Sequence, residues 1–238
     1  VDKHVEELHI SSVACSTGIS GSVADGGGDF DDDPLSHLFH LLVECKAPVR
    51  KLELENVSKP RAVASFLDRT PTVTHLVAKD VMASDDLAAD IMDELPEGVK
   101  QRLQTFGGFL VTPRTAVGLL RFTSLRAMEV LMHELPCGVW WDAADGPTVS
   151  LESLLVRVSV NAPLPPNTNF RERFPNLKRL KIECWQAAMP LRNVEVGLPA
   201  TLETLELGSI LDATPFLEAS LANGACPRLT VVKFSNVD

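Results

Sequence analysis

One short pattern of apolar and polar positions recurs along the chain. An apolar residue is followed three positions later by a second, two positions later by a third, and three positions after that by another apolar or small residue. Val5, Leu8, Ile10 and Val13 fit it, as do Val49, Leu52, Leu54 and Val57, and Val73, Leu76, Ala78 and Val81. A degraded copy is expected near Leu103 and Thr105, with Arg102, Gln104 and Phe106 on its other side. The pattern returns at Leu125, Met128 and Val130, then at Leu151, Leu154 and Val156. The last three copies are the clearest: Leu177, Leu180, Ile182 and Trp185; Leu202, Leu205, Leu207 and Ile210; and Leu229, Val232, Phe234 and Val237. From Val49 onward the starting positions lie 24 to 27 residues apart, and only the first interval, Val5 to Val49, is longer, at 44.

The centre of each copy alternates apolar and polar, which predicts a strand with one buried face. A single strand of this kind cannot bury its apolar side. Stacking it on neighbouring copies, with return segments behind, makes a continuous core. Some returns carry helical spacing: Leu35, Leu38, Leu41 and Leu42; Val63, Phe66 and Leu67; and Leu87, Ile91 and Leu95. Pro60, Asp85 and Pro113 stand where helices are expected to start. Residues 162–169 (APLPPNTN) cannot form a regular helix, because proline lacks the donor and clashes with the preceding turn.

The runs Phe174-Pro-Asn-Leu-Lys-Arg-Leu-Lys-Ile and Cys226-Pro-Arg-Leu-Thr-Val-Val-Lys-Phe resemble the longer repeats of the leucine-rich-repeat superfamily, those of ribonuclease-inhibitor-like and F-box-associated proteins. Leu198-Pro-Ala-Thr-Leu-Glu-Thr-Leu-Glu-Leu is similar to repeats of protozoan leucine-rich-repeat proteins. The usual Asn or Cys after the strand is replaced here by Val57, Val81, Trp185, Ile210 or Val237. The resemblance covers nearly the whole chain. It implies an α/β solenoid: a curved parallel sheet of about nine repeats with a mixed helical and extended convex side. Residues 1–238 then form one array, interrupted by an acidic Gly- and Asp-rich insertion at 21–33.

In such an array the outward positions of the strands line the concave face. Val77, Phe106, Leu131 and Leu155 are apolar at positions expected to face outward, in four adjacent copies, and basic Arg157, Arg179 and Lys181 follow. An apolar centre with a charged margin suits protein binding. Trp140 and Trp141 are adjacent in a loop rich in Gly, Asp and Pro; one indole packs while the other is an exposed anchor, or both fold under the loop. Trp185, after a strand, is expected in the core.

Composition narrows the picture. Of 238 residues, 45% are hydrophobic but only 5% aromatic, and Tyr is absent, so small aliphatic layers must form the core. The net charge is −10, half of it from Asp25, Asp29, Asp31, Asp32 and Asp33. An acidic chain without a basic stripe is a poor nucleic-acid binder. No apolar run reaches the roughly 18 residues of a membrane span. The five cysteines, Cys15, Cys45, Cys137, Cys184 and Cys226, contain no Cys-x-x-Cys pair. They are expected to be reduced and mostly buried, in a cytoplasmic or nuclear protein.

Candidate chemistry is sparse. The stretch DGGGDFDDD lacks the ligand spacing and terminal Glu of a helix–loop–helix calcium site and reads as a solvated acidic loop. His37, His40 and Glu44 share a helical face, but no fourth ligand is identifiable, so they are expected as surface residues rather than a metal site. Gly26-Gly27-Gly28 has no following Lys to cradle phosphate. Cys137, near His133, carries no mark of an activated thiolate. No cofactor is expected.

The last copy runs almost to Asp238, and the first begins almost at the N-terminus. The array is therefore expected to be part of a longer chain, or to have a neighbour covering an end, with the C-terminal strand as a possible contact. The expected function is non-enzymatic protein binding, through the concave face or an array end. The F-box-like character implies an alternative, a substrate-recognition subunit of a ubiquitin ligase. An enzyme without a recognisable motif is the third.

Overall fold

The structure is a computed structural model, and it describes residues 6–11, 34–55, 57, 60–79, 91–110, 121–131, 150–158, 169–184, 189–190 and 197–235. The strands are β1 (Glu7–Ser11), β2 (Lys51–Glu55), β3 (His75–Lys79), β4 (Thr105–Leu110), β5 (Ala127–Leu131), β6 (Ser153–Val158), β7 (Arg179–Cys184), β8 (Met189–Pro190), β9 (Thr204–Gly208), β10 (Ile210–Leu211) and β11 (Val231–Ser235). The helices are α1 (Pro34–Glu44), α2 (Pro60–Arg69), α3 (Glu97–Arg102), α4 (Phe170–Arg173) and α5 (Thr214–Leu221). Nine strands form one open sheet in the order β1-β2-β3-β4-β5-β6-β7-β9-β11, every neighbouring pair parallel. Strands β8 and β10 form a separate parallel pair. The architecture is α/β, and each of the nine expected copies supplies one strand of the large sheet.

The recurring apolar positions become ladders. Leu52, Leu76, Phe106, Met128, Leu154, Leu180 and Leu205 pair in register from strand to strand, all at most 5% exposed. The first position of each copy makes a second ladder through Val49, Val73, Leu103, Leu125, Leu151, Leu177 and Leu202, each at most 1% exposed. Burying a side chain of this size stabilises by about 1.5–3 kcal/mol. The strand entries repeat as well. The amides of Thr74 and His75 both donate to Arg50 O, those of Gln104 and Thr105 to Thr74 O, and those of Glu152 and Ser153 to Arg126 O. This recurring pair of bonds carries the register from one copy to the next.

Helix α2 begins at Pro60 and buries Val63, Ala64, Phe66 and Leu67, as the periodicity predicts. Helix α1 forms where expected but is turned differently. Leu38 and Leu41 are 38% and 47% exposed, while Phe39 is buried with Leu35, Leu42 and Val43 packed beside it. Phe39 stacks on Phe66, ring centroids 4.4 Å apart, and so fixes the rotation of the helix. Ile91 and Leu95 are buried as expected. The expectations at Leu87, Asp85, Pro113, residues 162–168, Trp140, Trp141, Trp185 and the acidic stretch fall outside the described residues. Just after that proline-rich run, the Asn169 side chain caps α4 by accepting from the Glu172 amide at 3.2 Å.

The fourth copy corrects the sequence reading. It starts at Leu103, which takes the first position of the pattern and not the second, so Phe106 and not Thr105 takes the inward position. Arg102, expected on the outward face, ends α3 instead. Its guanidinium donates to the carbonyls of Leu67, Thr70 and Val73, tying the end of α2 to the entry of β3. Cysteines also divide: Cys184 is buried, Cys226 is intermediate, and Cys45 is exposed rather than buried.

Candidate functional site

Apart from the register shift of β4 on β5, the strand pairs are in register, so the outward residues of the sheet form rows. The central row runs His9, Glu53, Val77, Gly107 and then, beyond β4, Glu129, Leu155, Lys181, Glu206 and Lys233. The next row carries Ser11 and Glu55 at one end and Leu131, Arg157 and Glu183 further on. Leu131 and Leu155 therefore sit diagonally on adjacent strands, within side-chain reach. Both are half-buried. Val77 is half-buried too, but three strand spacings from Leu155, about 14 Å. The fourth apolar residue expected on this face, Phe106, is not there: it is 2% exposed and stacks on Phe122 at 4.9 Å inside the core. In its place Gly107 leaves the face without a side chain between Val77 and Glu129.

The charged margin also differs from expectation. Arg157 bridges Glu129 at 3.0 Å and Glu183 at 3.3 Å, and Lys181 lies 3.5 Å from Glu183. The margin is thus balanced, not basic. Arg179 is exposed, and together with Lys181 it adds a smaller electrostatic pull on Glu206. The hydrogen bond from Lys233 is the main cause that holds the Glu206 carboxyl below its ordinary range. At the other end Lys51 pairs with Glu53 at 2.8 Å and Glu7 at 3.6 Å. On the central row Val77, Gly107, Glu129 and Leu155 stand between two zones of paired charge.

His9 lies between two carboxylates, Nδ1 at 3.1 Å from Glu53 and Nε2 at 3.2 Å from Glu55. Hydrogen bonding to Glu53, then to Glu55, raises its pKa above the ordinary 6.5. A group raised on folding contributes stability that is complete below its unfolded value and is lost as pH rises through the folded one. Pairing of β1 with β2 is expected to weaken over that window. In an NMR titration the His9 ring should change state above the histidines of the denatured chain. An unshifted His9 titration would count against the double bridge.

On the helix side, a groove of about 820 Å³ separates α1 from α2. It is lined by His37 and His40, with Phe39 and Phe66 at its base and Arg61 bonded to Glu94 at 3.2 Å on its rim. His37, His40 and Glu44 are exposed, with His40 Nε2 4.0 Å from Glu44, and no metal-holding group of three occurs among the described residues. No helix of the described residues is long and apolar enough to cross a membrane.

The three-residue step from Leu103 to Phe106 is the signal that would have placed Phe106 inside, since every other copy has it. Gly107 carried no such signal; its outward place depends on the same register. No family model matches the chain, and no curated protein matches it.

Proposed function

We propose that the chain is a leucine-rich-repeat solenoid acting as a non-enzymatic protein-binding module, with its site on the concave face over β3 to β6. The observation that carries this reading is the diagonal pair Leu131 and Leu155, half-buried on the outward side of the sheet and bordered by charges that already neutralise one another. Desolvating paired charges at a margin excludes water without leaving an orphaned ion, and the apolar centre supplies the binding energy. Such a site selects a partner by shape and apolar contact more than by net charge. Val77, Arg179 and Lys181 lie on the same face and serve as its border. The free thiols Cys45, Cys184 and Cys226 support a cytoplasmic or nuclear setting.

The test is retention of a partner from native lysate by the parent chain and by the Leu131→Asp/Leu155→Asp variant, after both are shown to be folded. Two buried anchors lost from an interface centre should weaken retention by at least about tenfold. Equal retention by a folded variant would remove the site from this face.

A further inference from the structure

Leu131, Leu155 and Arg179 stand on one diagonal of the outward face. Leu131 is in register with Arg157 and Leu155 with Lys181, and each next member lies two residues earlier on the next strand. The line therefore crosses β5, β6 and β7 and ends on a guanidinium. Neighbouring strands are about 4.8 Å apart and two residues of a strand rise about 6.6 Å, so each diagonal step is about 8 Å. The other outward cations from β6 to β11, Arg157, Lys181 and Lys233, each bridge a glutamate. Arg179 is exposed and makes no ion pair among the described residues. The register is the local reason. Its partners on the two flanking strands are Ser153 and Thr204, which carry no charge. The outward carboxylates further along β7 and β9 are engaged elsewhere: Glu183 holds Arg157 and Lys181, and Glu206 accepts from Lys233 at 2.8 Å. Glu152, just before β6, is held by Lys178 at 2.9 Å and Arg126 at 3.6 Å.

We infer that the partner is an apolar peptide segment with an acidic end, two of its apolar side chains lying on Leu131 and Leu155 and its carboxylate on Arg179. The inference rests on the protein-binding reading above and adds the chemistry of the partner. A guanidinium presents a planar fork of donors that meets a carboxylate in two parallel bonds. Around Leu155 neither sign of charge is favoured, because an incoming anion meets Glu129 and Glu183 and an incoming cation meets Arg157 and Lys181. Only the Arg179 end of the diagonal prefers one sign. That contact is at the rim of the apolar pair, so it sets the direction and identity of the segment more than the bulk of its affinity. In an extended segment, alternate side chains share a face about 6.8 Å apart. Three of them nearly match two diagonal steps, and the long Arg179 side chain takes up the difference. Side chains one helical turn apart, at about 5.4 Å, fall further short. The segment therefore reads apolar, any residue, apolar, any residue, acidic, in either chain direction.

The probe is a displayed library of random linear peptides, selected on the 238-residue chain, on its Arg179→Glu variant and on the Leu131→Asp/Leu155→Asp variant. The parent should enrich two apolar residues and an Asp or Glu at alternate positions. Arg179→Glu should enrich the same apolar residues with Lys or Arg in the acidic place. A selected peptide remade with Lys at its acidic position should bind the parent at least about tenfold more weakly and recover on Arg179→Glu. That recovery also shows that the variant is folded. An apolar consensus with no acidic position, or one that Arg179→Glu leaves unchanged, overturns the inference and leaves the protein-binding face standing. Peptides that the Leu131→Asp/Leu155→Asp variant retains equally, or no enrichment on the parent, overturn both.

Discussion

Gly108→Ala should cost more than about 3 kcal/mol, and the variant should be largely unfolded if the parent is only marginally stable. Gly108 has φ +81°, in the left-handed region where an alanine is itself unfavourable by about 1–2 kcal/mol. The steric problem is larger. A Cβ at Gly108 would lie 1.5 Å from Ala78 O and 2.6 Å from Ala78 C. Those are backbone atoms of β3, held from the other side by the register pairing of Ala78 with Leu54. They cannot swing aside as a side chain would. The contact exists because β4 bulges between Phe106 and Phe109, pressing its backbone toward β3 while shifting its register on β5. Gly107→Ala is the control: its Cβ would meet Glu129, at 3.1 Å from Cβ, 3.6 Å from Oε2 and 3.8 Å from the backbone N, so a shift of a few tenths of an ångström relieves the one tight contact. Urea unfolding of the two variants should separate them clearly. Equal midpoints would mean that the bulge is not where the structure has it.

Phe106→Ala is the second large effect, expected at about 3–5 kcal/mol from lost transfer energy and the cavity left behind. Phe106 is 2% exposed, stands in the ladder between Leu76 and Met128, and stacks on Phe122 at an interplanar angle of 19°. Such a ring pair adds about 0.5–1.5 kcal/mol beyond its burial. Leu155→Ala, on the outward side of the sheet, should cost less than about 1 kcal/mol. The comparison by chemical denaturation tests which side of the sheet each residue occupies. It also bears on function: Leu155 can be changed to probe binding without loss of fold, and Phe106 cannot. If the Leu155 variant proved as unstable as the Phe106 variant, the face described here would be part of the core.

The alternation of Leu52 and Leu54, Leu180 and Ile182, or Leu205 and Leu207 was enough to place those strands, their inward residues and hence their outward neighbours. Local pattern suffices there because each copy buries the same two positions against the next copy's equivalents. Residues 102–106 are the exception: with Gly107 and Gly108 following, only Leu103 and Phe106 mark the apolar register, and the three-residue step between them is the single local sign that Phe106 faces inward. Helix α1 shows the other limit. Four leucines predicted its buried stripe, but Phe39 had a better partner in Phe66, and the pair turned Leu38 and Leu41 outward. The charged border was legible as Arg157 and Lys181, while its balance was not, since Glu129 and Glu183 meet Arg157 only across strands.

Alternation alone places nine strands and the apolar identity of Leu131 and Leu155, because strand periodicity is local and repeats. The tertiary structure decided what periodicity cannot carry. It removed Phe106 from the outward face, put a glycine there and paired the charges. Each of these outcomes depends on which atoms of another strand or helix lie within a few ångströms, and no single copy of the repeat contains that information.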